Sequence, residues 1–93
     1  MAVEWDELKA RRNMAKHGVA FDEAALALED PFLIAFPDIV HSADEERFLT
    51  IGASGRGILV VCAYTERGEA IRIIMARRPT AKEAQLYERF WQR

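Results

Sequence analysis

The 93 residues, 51% apolar and 30% charged with a formal net charge of −2, suffice for one globular domain spanning 1–93 with a single core. No apolar run approaches the length of a membrane span, and Met-Ala-Val-Glu-Trp-Asp has neither the basic start nor the apolar centre of a signal peptide, so a cytoplasmic chain that stays off the membrane is expected. One cysteine excludes an intrachain disulfide, and with only two histidines beside it no metal site and no cofactor is expected.

Residues 2–5 read as a short strand, and Asp6 is a natural N-cap for a helix that runs to His17 and ends where Gly18 supplies a left-handed position. Leu8, Ala15 and Met14 offer that helix a thin apolar face, whereas Lys9, Arg12 and Lys16 recur at i, i+3, i+7 and form a cationic stripe. A second helix is expected over Phe21 to Glu29, with Phe21, Ala24, Ala25 and Leu28 on one face, stopped by Asp30-Pro31. Leu33 to Phe36 reads as a strand ending at Pro37-Asp38, and a loop carrying His41-Ser42 leads to Glu45.

Three runs rich in β-branched and aromatic residues then follow, Glu46–Gly52, Gly57–Thr65 and Glu69–Arg78, joined by short glycine-bearing connections. The middle run is apolar on both parities and belongs at the centre of an antiparallel sheet; Cys62 lies within it as a structural thiol. The flanking runs carry Arg47, Arg72, Arg77 and Arg78, which either solvate strand ends or give the sheet a cationic surface. After Pro79, Thr80-Ala-Lys-Glu83 is a capping box that opens a last helix with Leu86, Tyr87, Phe90 and Trp91 as its apolar face. The expected order β-α-α-β-β-β-β-α is an α+β domain, with the two N-terminal helices packed on one face of an antiparallel sheet, a C-terminal helix, and a core of Leu49, Ile51, Val60, Ile73, Ile74, Phe21, Leu28, Leu86 and Phe90.

Charge is segregated along the chain. Four basic residues and no acid lie between Lys9 and Lys16, eight acids and no Lys or Arg between Asp22 and Glu46, and nine basic residues against four acids from Arg47 onward. Local potential rather than net charge guides a polyanion, so nucleic acid remains a candidate ligand and the acidic stretch a candidate seat for a basic partner segment.

Trp5-Asp6, Lys9, Asn13, Lys16-His17-Gly18-Val19, Phe21, Ala24-Ala25, Asp30-Pro31, His41-Ser42, Glu45-Glu46-Arg47-Phe48, Ile51-Gly52, Ile71-Arg72-Ile73-Ile74 and Ala76-Arg77, in this order and spacing, resemble the BrnT family of bacterial toxins from Trp5 to about Tyr87. The resemblance implies a RelE-like fold, metal-free ribonuclease activity, and neutralisation by a BrnA-type antitoxin. It also implies that toxin and antitoxin repress their own operon, with the operator DNA contacted by the antitoxin. Two positions depart from the pattern: Ala20 and Met75 stand where the family often has Ser, so the second helix lacks a cap and would start at Asp22.

Metal-free RNA cleavage needs a base for the 2′-hydroxyl, cations for the phosphorane and an acid for the leaving 5′-oxygen. Arg77 and Arg47 are the expected catalytic cations, with His41 and Glu46 for proton transfer. Lys9, Lys16 and Arg72 are the expected RNA contacts. Strict alternation puts Arg72 and Arg77 on opposite faces, so either a bulge intervenes or only one of them is in the site. A non-enzymatic module that binds nucleic acid or protein, acting as a co-repressor with its partner, is the alternative.

Overall fold

Asp6 caps the first helix as its position requires, accepting the Lys9 N–H at 3.0 Å on its side chain, and Gly18 closes the helix at φ 70° with its own N–H on the Met14 carbonyl. The computed structural model describes residues 2–40 and 45–91; His41 and Ser42 lie outside the described residues, as does the side chain of Trp91. Its elements are β1 (Ala2–Glu4), α1 (Glu7–His17), α2 (Phe21–Ala27), β2 (Ile34–Pro37), β3 (Arg47–Ala53), β4 (Leu59–Arg67), β5 (Ala70–Arg77) and α3 (Ala81–Trp91). Although Ala20 provides no side-chain cap, α2 begins at Phe21 rather than Asp22, because burial of Phe21 fixes that turn more firmly than a cap would.

One sheet of five strands has the order β1-β5-β4-β3-β2, with β4 at its centre as its apolar parities require. The pairs β2–β3, β3–β4 and β4–β5 are antiparallel, but β1 runs parallel to β5, so the sheet is mixed where a purely antiparallel one was expected. Residues 2–4 carry no signal of direction. The meander leaves one edge of β5 open, and β1 takes it with Glu4 opposite Arg72.

Two apolar clusters lie on the two faces of the sheet. On one, Val19, Phe21, Ala24, Ala27 and Leu28 pack on Val60, Cys62, Ile71, Ile73 and Ala76. On the other, Tyr87 and Leu86 of α3 cover Ile51 and Val61, with Ile34, Phe36, Leu49 and Leu59 around them. Gly52 admits the close approach of α2, since a Cβ there would fall 2.5 Å from the Ala27 carbonyl oxygen, a backbone atom.

Three expectations for the core need correction. Phe90 is 46% exposed, because the buried contact of α3 is made one turn earlier at Leu86 and Tyr87, where Asp30 holds the phenol at 2.5 Å. Ile74 is only half-buried, for a reason that concerns the site below. Leu8 and Met14 are 52% and 50% exposed, and the residue of α1 that is buried is Asn13. Its Nδ2 donates to the carbonyls of Val19 at 2.9 Å and Ala76 at 2.8 Å, while its Oδ1 accepts the Ala76 N–H at 3.1 Å. Helix α1 is therefore docked on the end of β5 by an amide that takes the place of a neighbouring strand.

Candidate active site

The register of the meander decides which arginines share a face. Side chains directly opposed on neighbouring strands point to the same side. On β4, Val61, Ala63 and Thr65 are two apart and therefore co-facial, and they oppose Arg77, Met75 and Arg72 on β5. The pairing shifts between Ala63 and Tyr64, where Met75 and Ile73 are the successive partners and Ile74 is passed over. This bulge at Ile74 brings Arg72 and Arg77 onto one face, where unbroken alternation would separate them. Arg47 on β3 opposes Thr65 and joins them, so a row Arg47, Thr65, Arg72, Glu4 crosses four strands.

Helix α3 covers only part of this face, over Ile51 and Val61. The part left open is a cleft of about 340 Å³ lined by Asp38, Arg47, Leu49, Ala63, Ile74, Met75 and Arg77. A second groove, between α1 and β5, is lined by Lys9, Arg12, Asn13, Lys16, His17, Ile74 and Met75. The two meet at the bulge, so the cationic stripe of α1 continues the arginine face over the edge of β5.

Three of the arginines, Arg77, Arg72 and Arg67, are held by carboxylates. Arg77 donates Nη1 and Nη2 to the two oxygens of Glu83 at 2.8 and 2.9 Å, and Nη1 also reaches the Arg78 carbonyl at 3.2 Å. Glu83 accepts the Thr80 N–H at 2.8 Å and so closes the expected capping box of α3 while engaging Arg77. The guanidinium holds the Glu83 carboxyl down at about 2, and Glu83 in turn raises Arg77. Arg72 gives Nε and Nη2 to Glu4 at 3.0 and 2.7 Å, and Arg67 meets Glu45 at 3.0 Å.

The residues expected at the site thus divide. Arg47, Arg72 and Arg77 are gathered on one face, and Lys9 and Lys16 stand along the adjoining groove. Glu46 is exposed immediately before β3 and lines neither the cleft nor the groove. Asp38, which the sequence marks only as the end of a strand, does line the cleft, since a carboxylate between a strand end and a loop can reach a cleft mouth. Thr65, also passed over as an ordinary strand residue, lies between Arg47 and Arg72 with 1% exposure. Among the described residues no three His, Cys, Asp or Glu side chains converge as a metal site would require. Burial pushes the Cys62 thiol up to about 12, which makes it inert at neutral pH.

An α+β sheet face with Arg47 and Arg77 at an open cleft, continued by a lysine-bearing helix, has the chemistry that suits a polyanion such as a nucleic acid. The model of the family described as the ribonuclease toxin, BrnT, of type II toxin–antitoxin systems matches residues 5–83, and the chain belongs to that family. It is a ribonuclease toxin, with RNA as its target and an antitoxin as its partner. The fold is similar to the 1.1 Å crystal structure of the Brucella abortus ribonuclease toxin BrnT, at 30% identity and a TM-score of 0.67, over 86% of this chain and 97% of that one. No curated protein matches the chain significantly.

Proposed function

We propose that the chain, acting as a single toxin domain in the bacterial cytoplasm, cleaves RNA internally without a metal ion at the cleft between β3, β5 and α3, and thereby arrests growth. The 2′-oxygen attacks the adjacent phosphorus, the bond to the 5′-oxygen breaks, and a 2′,3′-cyclic phosphate and a 5′-hydroxyl result. Arg47 and Arg77 stabilise the charge that accumulates on the phosphorane, and Arg72, Lys9 and Lys16 hold the chain on either side. Proton transfer belongs to the segment between β2 and β3, which carries Asp38 in the cleft lining and His41 and Glu46 further along.

The observation that carries this reading is the bulge at Ile74, because it turns arginines from two parities of β5 into one cationic face beside Arg47. Bulges recur beside active sites, where they re-aim side chains, and this one stands at the rim of the cleft. Neutralisation is assigned to a BrnA-type antitoxin that covers the cleft, with operator DNA bound through the antitoxin.

Purified protein incubated with RNA in excess chelator tests the reading. Cleavage should persist, leave cyclic phosphate ends, and fall about 10²–10⁴-fold in the one of Asp38→Asn, His41→Asn and Glu46→Gln that removes the principal proton carrier. Loss of all cleavage in chelator sinks the metal-independent mechanism, and three fully active variants remove proton transfer from this segment.

A further inference from the structure

Beside the open cleft, and sharing Arg47 and Ile74 with it, is a smaller and more enclosed cavity of about 80 Å³ lined by Asp6, Lys9, Glu45, Arg47, Thr65, Arg67, Arg72, Ile73 and Ile74. We infer that this cavity is a separate phosphate-binding subsite, in which the Thr65 hydroxyl donates to a phosphate oxygen between Arg47 and Arg72. The assignment of that phosphate to an RNA chain rests on the ribonuclease reading above.

Thr65 Oγ1 is the anomaly that calls for a ligand. It is buried in a residue 1% exposed and has no hydrogen-bond partner among the described residues. A hydroxyl left in that condition destabilises the fold, and valine would fill the same space without the cost. A second buried threonine, Thr50 on the other face of the sheet, shows the ordinary solution, donating to the Cys62 carbonyl at 3.1 Å.

The surroundings specify an anion. Four cationic side chains line the cavity against two carboxylates, and both carboxylates are engaged: Asp6 caps α1 through the Lys9 N–H, and Glu45 is paired with Arg67. Arg72 spends Nε and Nη2 on Glu4, which leaves Nη1 to donate elsewhere. The volume accommodates a few waters or one tetrahedral oxyanion, and is too small for a peptide or a base. Along β4, Thr65 lies four residues from Val61, the partner of Arg77, which is a separation of about 13 Å. Arg47 lines both the cavity and the cleft, so the phosphate held at Thr65 lies on the far side of Arg47 from Arg77, next along the strand from the scissile one, and fixes the register of a single strand across the cleft.

Amide NMR spectra of the whole chain, titrated with inorganic phosphate at constant ionic strength, test the inference directly. Phosphate should move the resonances of Thr65, Arg72 and Lys9 in a saturable manner. Thr65→Val should weaken that binding roughly tenfold or more without lowering the thermal midpoint, and Thr65→Ser should retain it. A dinucleotide monophosphate lacking the 2′-hydroxyl, which cannot be cleaved, should compete with inorganic phosphate for the same residues. Scattered shifts, or shifts indifferent to Thr65→Val, overturn the subsite, and a dinucleotide that does not compete overturns its assignment to an RNA backbone. A protein that cleaves RNA but takes up no phosphate at Thr65 loses this inference alone; one that takes up phosphate there and cleaves no RNA loses the ribonuclease reading instead.

Discussion

Arg77 illustrates how one side chain serves two purposes. Its bidentate pair with Glu83 ties the end of β5 to the first turn of α3, and the same residue lines the cleft. Removing it is therefore expected to cost stability as well as activity, where the strand-end position alone suggests that folding would be untouched. Glu83 is held at about 2 against an ordinary 4.5, so its pair stabilises the fold fully above pH 4.5, and that contribution is lost as pH falls through about 2. Glu83→Gln should thus lower the thermal midpoint at neutral pH and flatten the acid side of the stability curve across that window. An acid profile unchanged by the substitution would show that the pair contributes nothing to folding. The sequence displays Arg47, Arg72 and Arg77 openly, and what it hides is their common face. A bulge adds one residue to a run whose composition is the same with or without it, so strand alternation cannot locate Ile74 as the extra one.

At the level of elements, the capping box of α3, the Gly18 terminus of α1 and the central place of β4 were legible, because each depends on residue types with local mechanisms. The docking face of α1 is not the one its apolar residues suggest. Leu8 and Met14 suggest an apolar stripe, yet the helix is held by Asn13, whose amide satisfies both backbone groups of Ala76 on β5. Nothing local distinguishes such an asparagine from a solvated one, since the strand it docks on is 63 residues away. Asn13→Ala leaves two carbonyls and one N–H without this partner, and should destabilise the fold by roughly 2–5 kcal/mol in a urea titration. Leu8→Ala should change it by less than about 0.5 kcal/mol, as exposed substitutions do. Equal effects of the two would mean that α1 docks through its apolar residues after all. The strand at residues 2–5 is legible, but its place and parallel direction are not, for a related reason: the three residues of β1 specify neither an edge nor a direction.

Across the whole molecule, the segregation of charge along the chain does not translate directly into patches. Within the acidic stretch, Asp30 is consumed internally. Burial raises its carboxyl, but the Tyr87 hydroxyl and the N–H groups of Ala53 and Phe32 more than offset this and hold it below the usual range. Glu23 meets Arg56, and Glu45 meets Arg67. Exposed Asp22 and Glu29 are left on the α2 side, so a partner has a sparser acidic surface to read than the sequence implies. The antitoxin is accordingly expected to be steered chiefly by the cationic cleft and to present acidic groups to it. Its association rate should then fall as salt shortens the screening length below about 8 Å, with a larger slope for the wild type than for Arg47→Ala. A slope identical in the two proteins would move the antitoxin away from this face.

The most direct test of the site is the single-turnover rate of RNA cleavage in chelator, measured for the wild type and Arg47→Ala at equal folded fraction. Arg47 is preferable to Arg77 here, because loss of Arg77 also breaks the Glu83 pair and confounds activity with stability. If Arg47 stabilises charge that exists only in the transition state, the variant should be slower by about 10²–10³-fold with the same cleavage products. Cleavage by Arg47→Ala at the wild-type rate would contradict the assignment of the catalytic centre to this face of the sheet.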